Sequence, residues 1–292
     1  MNVINPKISV GISTYNRKDL LRLSLKSVLD QTFDDYEVIV VDDGSTDGTE
    51  EMVRKEFPMV RYIYKENGGD ASAKNVAAKE AKGKYLLYND SDDCFYPDTL
   101  ERLYEPLKTT PEACVYGQYR HLDIEGNESD AKLKMKHFPS GNILEYMLEH
   151  IIVHSTGCIR PREAFLRAGA YDESLRQSHD YKLDLTLARE LPYIAVQEPV
   201  FQRRRHESNL SSCCYKSVSV QYRVVREFFE KSGHELDERC QRILRKRLAS
   251  LCWKLAREAA REKMARTLRQ QHLEESLLYA FSWKVFFAKL FS

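Results

Sequence analysis

Asp90-Ser91-Asp92-Asp93 places three carboxylates within four residues, one residue after the apolar run Tyr85-Leu86-Leu87-Tyr88. Like charges that close repel one another unless a cation sits among them. Hard oxygen donors of this kind suit Mg²⁺ or Mn²⁺, which keep positions open for water and a substrate phosphate. A solvated acidic turn, or a cap for the following helix, would use the same residues. Asp42-Asp43-Gly44-Ser45 closes another apolar run. A carboxylate there can accept hydrogen bonds from a base N–H or from ribose hydroxyls, or can simply form a turn. Ser13-Thr14-Tyr15-Asn16 ends a third run, and Tyr15 can stack on a base, an interaction worth about 1–3 kcal/mol in nucleic-acid proteins. Gly68-Gly69 precedes Ala73-Lys74-Asn75, so Lys74 either approaches a diphosphate or lies on a helix surface. Asp180, in Ser178-His179-Asp180-Tyr181, is a candidate general base or a helix cap. Arg203-Arg204-Arg205-His206 is a cationic run suited to phosphate, or a solvated stretch of charge.

Such groups need a scaffold that delivers strand ends to one place, and the first 120 residues read as one. Lys7–Ser13, Glu37–Val41, Val60–Tyr64 and Lys84–Asn89 are short apolar strands. Between them lie a helix with Leu21, Leu25, Val28 and Leu29 on one face, a helix opened by an Asp47/Glu50 capping box, and an Ala-rich helix over Ala71–Ala81. Strands alternating with helices predict parallel βαβ units, hence an α/β sheet whose ligands gather at the carboxyl ends of the strands. All three polar clusters fall at such ends. Beyond residue 120 the periodicity weakens, with loops near Gly126 and Gly141. From Ser217 the chain reads as almost continuous helix, interrupted at Gly233.

Several classes are excluded. A 42% hydrophobic share in 292 residues supports a sizeable core and rules out wholesale disorder. No apolar run approaches the roughly 18–20 residues of a bilayer span. Neither a GxxxxGK[ST] loop nor a GxGxxG after the first strand is present, which argues against a P-loop ATPase and a dinucleotide dehydrogenase. The seven cysteines form no CxxC pair, which predicts reduced thiols. With no signal-peptide core at the N-terminus, the expected location is the cytoplasm.

The ordered series ISVGISTYNR, QTFDDYEVIVVDDGSTDGT, NGGDASAKNVAAKEAKGKYLLYNDSDD, GAYDESLRQSHDYKL and PVFQRRRHESNLS resembles family 2 glycosyltransferases of the GT-A fold. The resemblance covers residues 5 to about 212. It implies a Rossmann-like, mostly parallel sheet flanked by helices, with a catalytic domain over residues 1–212 and a helical extension over 213–292. It also implies an inverting transferase that uses a nucleotide sugar, a UDP-sugar above all, and needs Mn²⁺ or Mg²⁺. By the same resemblance, Ser13, Thr14, Tyr15 and Asn16 would hold base and ribose, and Asp43 would accept the uracil N3–H. Asp92 would approach ribose or metal, and Asp93 would coordinate the cation. Asp180 occupies the position of the base, and His206 would sit beside the diphosphate or metal. Many relatives have Arg-Asn where this chain has Lys74-Asn75; lysine keeps the charge but loses the bidentate fork. His154, Ser155 and Thr156 are candidates for the acceptor side, with a saccharide or lipid-linked acceptor expected in surface polysaccharide synthesis. Burial and a nearby diphosphate are expected to raise the Asp180 pKa.

The net charge of +1 conceals an asymmetry. Residues 241–292 carry 12 Lys/Arg against 4 Asp/Glu, and the first 240 residues are net −7. The tail, ending in the aromatic-rich Leu277–Phe291, is expected to meet an anionic membrane, making the protein peripheral on the inner face of the cell membrane, or to pack on protein, a partner subunit included. A nucleic-acid-binding protein would also use a basic tail, but leaves the acidic strand ends unexplained, so no nucleic-acid partner is expected. A nucleotidyltransferase acting on sugar phosphates would use similar geometry, but its Gly-rich loop near the N-terminus is missing.

Overall fold

A computed structural model of the chain describes residues 5–123, 126–128, 138–204, 214–280 and Lys289. Two compact units divide it, the first comprising residues 1–143 and 152–208, the second 144–151 and 209–292.

The first unit is built on β1 (Ile8–Thr14), α1 (Lys18–Leu29), β2 (Tyr36–Asp42), α2 (Thr49–Glu56), β3 (Arg61–Tyr64), α3 (Asp70–Glu80) and β4 (Tyr85–Asp90). Strands β3, β2, β1 and β4 lie side by side in parallel, as the alternating pattern predicts. Leu21, Leu25 and Val28 of α1 are fully buried with Ile8, Val10 and Ile12 of β1. The helical spacing of those leucines therefore marks the face that covers the sheet. On α3, the alanines at 71, 73, 77 and 78 are buried, and their small size lets that helix approach closely. At Gly11 a Cβ would meet the Tyr88 ring at 2.9 Å and the Ala77 methyl at 3.1 Å, so the glycine sets the gap between sheet and helix. The expected capping box at α2 is replaced by a different arrangement. Asp47 accepts from the Thr49 amide (3.1 Å) and hydroxyl (2.5 Å) and from the Lys18 amide (2.9 Å), while Glu50 pairs with Arg54 one turn on.

The remainder of this unit is β5 (Cys94–Phe95), α4 (Thr99–Tyr104), β6 (Cys114–Leu122), β7 (Cys158–Pro161), α6 (Arg162–Arg167), α7 (His179–Leu187) and β8 (Tyr193–Arg204), with α5 (Leu144–Glu149) assigned to the second unit. The sheet order is β3-β2-β1-β4-β7-β6-β8-β5, with β7 antiparallel to both neighbours and β5 antiparallel to β8. Periodicity weakens here because β6 and β8 slip register around Gly117 and Gln118.

The second unit holds α5, α8 (Tyr215–Ser232), α9 (Glu238–Arg261) and α10 (Arg266–Tyr279). The break expected at Gly233 is present as a short 3₁₀ turn over Gly233–Glu235. Asp237 caps α9, accepting from the Cys240 amide at 2.7 Å. Leu244, Leu248, Leu251, Leu255 and Ala259 form its buried face. The Ser276 hydroxyl donates to the Ala249 carbonyl (2.8 Å), which ties α10 to α9. Helix α5 joins this unit through an ion pair between Glu145 and Arg239 of α9 (3.0 Å). A single cut at 212/213 therefore misses one internal segment.

Candidate active site

Strand register brings the three polar clusters together. Thr14 pairs with Asp42 across β1 and β2, and Ser13 pairs with Asp90 across β1 and β4. The carboxyl ends of three parallel strands thus lie abreast, where ligands of such sheets bind.

Most carboxylates there are held by a fixed cation or by backbone. Asp42 accepts from the Ser45 amide (2.7 Å) and the Tyr62 hydroxyl (2.6 Å), which is a structural role. Asp43, 4% exposed, accepts from Lys65 (2.7 Å) and from the Gly68 and Gly69 amides at 2.9 and 2.7 Å. It therefore shapes the Gly-Gly loop ahead of α3. Asn16, at a left-handed φ of 49°, accepts from the Thr46 amide (2.8 Å) and donates its own amide to the Ser45 hydroxyl (2.8 Å). The two strand-end loops are thereby tied to each other. Thr14 is buried and its hydroxyl has no hydrogen-bond partner among the described residues, while the Tyr15 ring is half exposed beside it.

Lys74 is neither a surface lysine nor open to a diphosphate. It is 2% exposed and donates to Asp70 (2.9 Å) and Asp90 (2.7 Å). Burial pushes its ammonium down, but the two carboxylates outweigh that and hold its pKa well above the usual lysine range. Asp70, one residue ahead of the helix expected over Ala71–Ala81 and not among the expected site residues, is the hub of the cluster. It accepts from the Ser13 hydroxyl and Lys74, and lies 3.3 Å from His179 Nε2. Burial raises its carboxyl, yet Lys74 and His179 bring it well below the ordinary range.

In the Asp90-Ser91-Asp92-Asp93 turn, Asp92 pairs with Arg17 (3.0 Å), a residue the sequence offered only as the letter after Asn16. Asp93 is 4% exposed and, among the described residues, its carboxylate accepts only from the Arg204 amide (3.2 Å). Burial, Asp90 and Asp92 push its carboxyl well above the usual range, against the opposing charge of Arg203. Arg203 lies 5.5 Å above the Tyr119 ring, and the Arg204 side chain donates to the Asp123 carbonyl (3.2 Å). The start of the cationic run is thus inside the unit; Arg205 and His206 lie outside the described residues.

Asp180 opens α7, preceded by Ser178 at a φ of 60°. The helix is fixed from three sides. Asn75 of α3 clamps the loop before it, accepting from the Tyr171 amide (2.9 Å) and donating to the Tyr171 carbonyl (2.8 Å) and Glu173 (2.9 Å). His179 reaches Asp70, as above, with its Nδ1 buried and unpartnered. One turn after Asp180, Asp184 forms a fully buried bidentate pair with Arg160 of β7, at 2.8 and 2.7 Å. The Asp180 carboxyl accepts from the Tyr181 amide (2.8 Å). Burial pushes its pKa up, but His179, His154, that amide and Lys74 outweigh it, and the group sits below the usual range. The expected upward shift is thus reversed in the protein alone, because the surrounding positive charge exceeds the desolvation. Of the acceptor-side candidates, Ser155 and Thr156 are buried, their hydroxyls engaged by Tyr171 (3.2 Å) and the Asp90 amide (3.1 Å). His154, partly exposed against Tyr119, alone keeps open surface.

The donor set can be tested for a divalent cation. Among the described residues, the one Asp/Glu/His/Cys trio whose ligand atoms fall within 4.8 Å of each other is Glu145, Asp237 and Cys240. Its Glu145 is paired with Arg239 and its Asp237 caps α9. Asp90, Asp92 and Asp93 form no such closed trio. An open set of one or two carboxylates fits Mg²⁺ or Mn²⁺, whose other positions go to water and substrate phosphates.

Residues 9–169 match the profile of the glycosyl transferase family 2. The chain belongs to that family. It is 31% identical over 246 residues to an uncharacterised glycosyltransferase of Rickettsia prowazekii, covering 80% of this chain and 75% of the relative. It is also 31% identical over 236 residues to the chondroitin synthase of Escherichia coli, covering 78% of this chain but only 33% of that synthase. Among solved structures, S. aureus TarS 1-349 in complex with UDP-GlcNAc matches with a TM-score of 0.68 at 19% identity, over 92% of this chain and 79% of that one. The mannosyltransferase PcManGT from Pyrobaculum calidifontis, in complex with GDP-Man and Mn²⁺, matches with a TM-score of 0.62 at 18% identity, over 96% and 77%. These likenesses establish the GT-A fold. This glycosyltransferase has no helix among its described residues long and apolar enough to cross a membrane.

Proposed function

We propose that this glycosyltransferase moves a sugar from a nucleoside diphosphate, UDP above all, to a saccharide or lipid-linked acceptor, with inversion at the anomeric carbon and with a divalent cation. The observation that carries this reading is the pairing pattern at the strand ends. Asp43, Asp70, Asp90 and Asp92 each have a Lys or Arg partner at 2.7–3.0 Å. Asp93 and Asp180 have none among the described residues, which leaves one carboxylate for a cation and one for a proton. The UDP-GlcNAc bound by TarS and the GDP-Man and Mn²⁺ bound by PcManGT support the donor class and the metal. The chondroitin synthase supports a saccharide acceptor.

Asp93, with Asp92, would hold the cation, which supplies Lewis-acid neutralisation of the leaving diphosphate. Asn16 and Asp43 fix the loops around the base pocket, and Tyr15 offers its exposed ring to the base. Lys74 acts indirectly, keeping Asp70 and Asp90 in place. Asp180 accepts the proton of the acceptor hydroxyl as that oxygen attacks the face opposite the diphosphate. General-base assistance of this kind is worth roughly 10²–10⁴-fold.

The test is Asp180→Asn. Transfer should fall by roughly 10²–10⁴-fold, with nucleotide affinity in the presence of Mn²⁺ nearly unchanged by titration calorimetry. Parallel loss of turnover and nucleotide affinity would overturn the assignment. Thermal-shift screening of nucleotide sugars with and without Mn²⁺ identifies the donor.

A further inference from the structure

Helix α9 is cationic on one side and apolar on the other. Arg242, Arg245, Lys246 and Arg257 are exposed, whereas Leu244, Leu248, Leu251 and Leu255 are buried. The spacing of 242, 246 and 257 keeps those three on a single face, opposite the leucines. They extend over roughly 22 Å of helix at 1.5 Å per residue. Between Glu238 and Glu262 the only acid is Glu258, which is buried and paired with Arg261 at 3.1 Å. None of the four exposed cations has an acidic partner among the described residues. A row of uncompensated like charges repels itself, a cost that an external anionic surface removes.

We propose that this face of α9 docks the protein on an anionic lipid bilayer. The face is acid-free over about four turns of helix, which suits an extended field of headgroups better than a discrete ligand. Apolar side chains accompany the charge in the same unit. Leu278 of α10 is 84% exposed, and Met264, between α9 and α10, is 37% exposed. The sequence of residues 281–292 adds five aromatic residues and two lysines with no acid, the composition of interfacial anchors. That combination favours a membrane over nucleic acid, and the inference stands independently of the sugar donor.

The test is flotation of the full-length protein with phosphatidylcholine vesicles that do or do not contain phosphatidylglycerol, at low and high salt. Binding should require the anionic lipid and weaken with salt. The variant R242Q/K246Q/R257Q should bind on the order of a hundredfold more weakly, at about fivefold for each charge removed near the surface. R242K/R257K should bind like the parent, and circular dichroism should be unchanged in both variants. Equal binding to neutral vesicles, or an unaffected triple variant, overturns the proposal. So does tighter binding to an oligonucleotide than to anionic vesicles, or self-association that depends on these residues while vesicles are ignored.

Discussion

The buried pair between Arg160 and Asp184 makes an asymmetric prediction. Both side chains are 0% exposed, and two charge-assisted hydrogen bonds at 2.8 and 2.7 Å join them. Arg160 also donates to the Cys158 carbonyl (3.1 Å), and Asp184 accepts from the Tyr193 hydroxyl (2.9 Å). Removing one partner of such a pair costs about 3–5 kcal/mol, because the other charge stays buried and uncompensated. The two halves differ in what they can do next. A guanidinium does not lose its proton, so Asp184→Leu leaves a permanent buried cation and should sit at the top of that range. A carboxyl can neutralise itself. Burial already pushes Asp184 above the usual range against the pull of Arg160, so Arg160→Met should raise it further and cost less. A raised carboxyl contributes stability below its unfolded pKa and loses it as pH rises through the folded one, so the Arg160→Met deficit should shrink from pH 8 toward pH 5. The Asp184→Leu deficit should not shrink. Together, Arg160→Met/Asp184→Leu should cost well under the sum of the singles. Calorimetry with hydrogen exchange at α7 amides is the suitable assay, since Trp253 lies in α9 and reports the other unit. Single-variant costs below about 1 kcal/mol, additivity, or equal pH dependence of the two singles would refute the reasoning.

Two further outcomes follow from the site carboxylates. Because the folded-state pKa of Asp93 is raised, its ionisation at neutral pH opposes folding, so Asp93→Asn should stabilise the metal-free protein near pH 7, with the gain vanishing toward pH 4. Each 1 kcal/mol of relief would register as roughly 2–4 °C, and the variant should lose the thermal shift on Mn²⁺ addition; a destabilised variant that still responds to Mn²⁺ would contradict this. Positive charge around Asp180 holds its pKa below the usual range, and an arriving diphosphate offsets that charge, so the acid limb of kcat should lie at higher pH than that of kcat/KM for the donor. Coincident limbs in steady-state pH profiles would count against it.

The strand ends were legible because apolar runs stop abruptly at polar residues, and the helix periodicity of Leu21, Leu25 and Val28 named the covering face. The partners of the polar residues were not. Arg17 and His179 meet Asp92 and Asp70 only through the chain's folding, across separations that no local pattern encodes, whereas Asp70 and Lys74 stand one helical turn apart on α3, a spacing the sequence does carry. Asp184 had a readable signal, a charge one helical turn beyond Asp180 among Tyr181, Leu183 and Leu185. Its partner Arg160 likewise stands out in the strand Cys158–Pro161. The break between α9 and α10 gave no warning, because the left-handed residue there is Lys263 rather than glycine. Six-residue α5 was too short to carry a periodicity that assigns it to the second unit.

Charge accounting supports the proposed external cation. The first 240 residues are net −7, and the proposed nucleoside-diphosphate donor would itself be an anion. A lysine or arginine at the strand ends could meet the diphosphate, yet of the described ones there Lys74 is held by Asp70 and Asp90, Lys65 by Asp43, and Arg17 by Asp92. Moving any of them toward phosphate would strand a carboxylate at the same strand ends, most severely Asp43, which is almost fully buried. Asp93 meets the opposite problem: its own ionisation is opposed by burial first, then by Asp90 and Asp92. One divalent ion would relieve both, since it would add two positive charges beside Asp93 and offer them to the diphosphate. Fixed pairs thus hold the strand ends in shape, while in the proposed reaction Asp93 and Asp180 would take the two exchangeable positive charges, a metal ion and a proton.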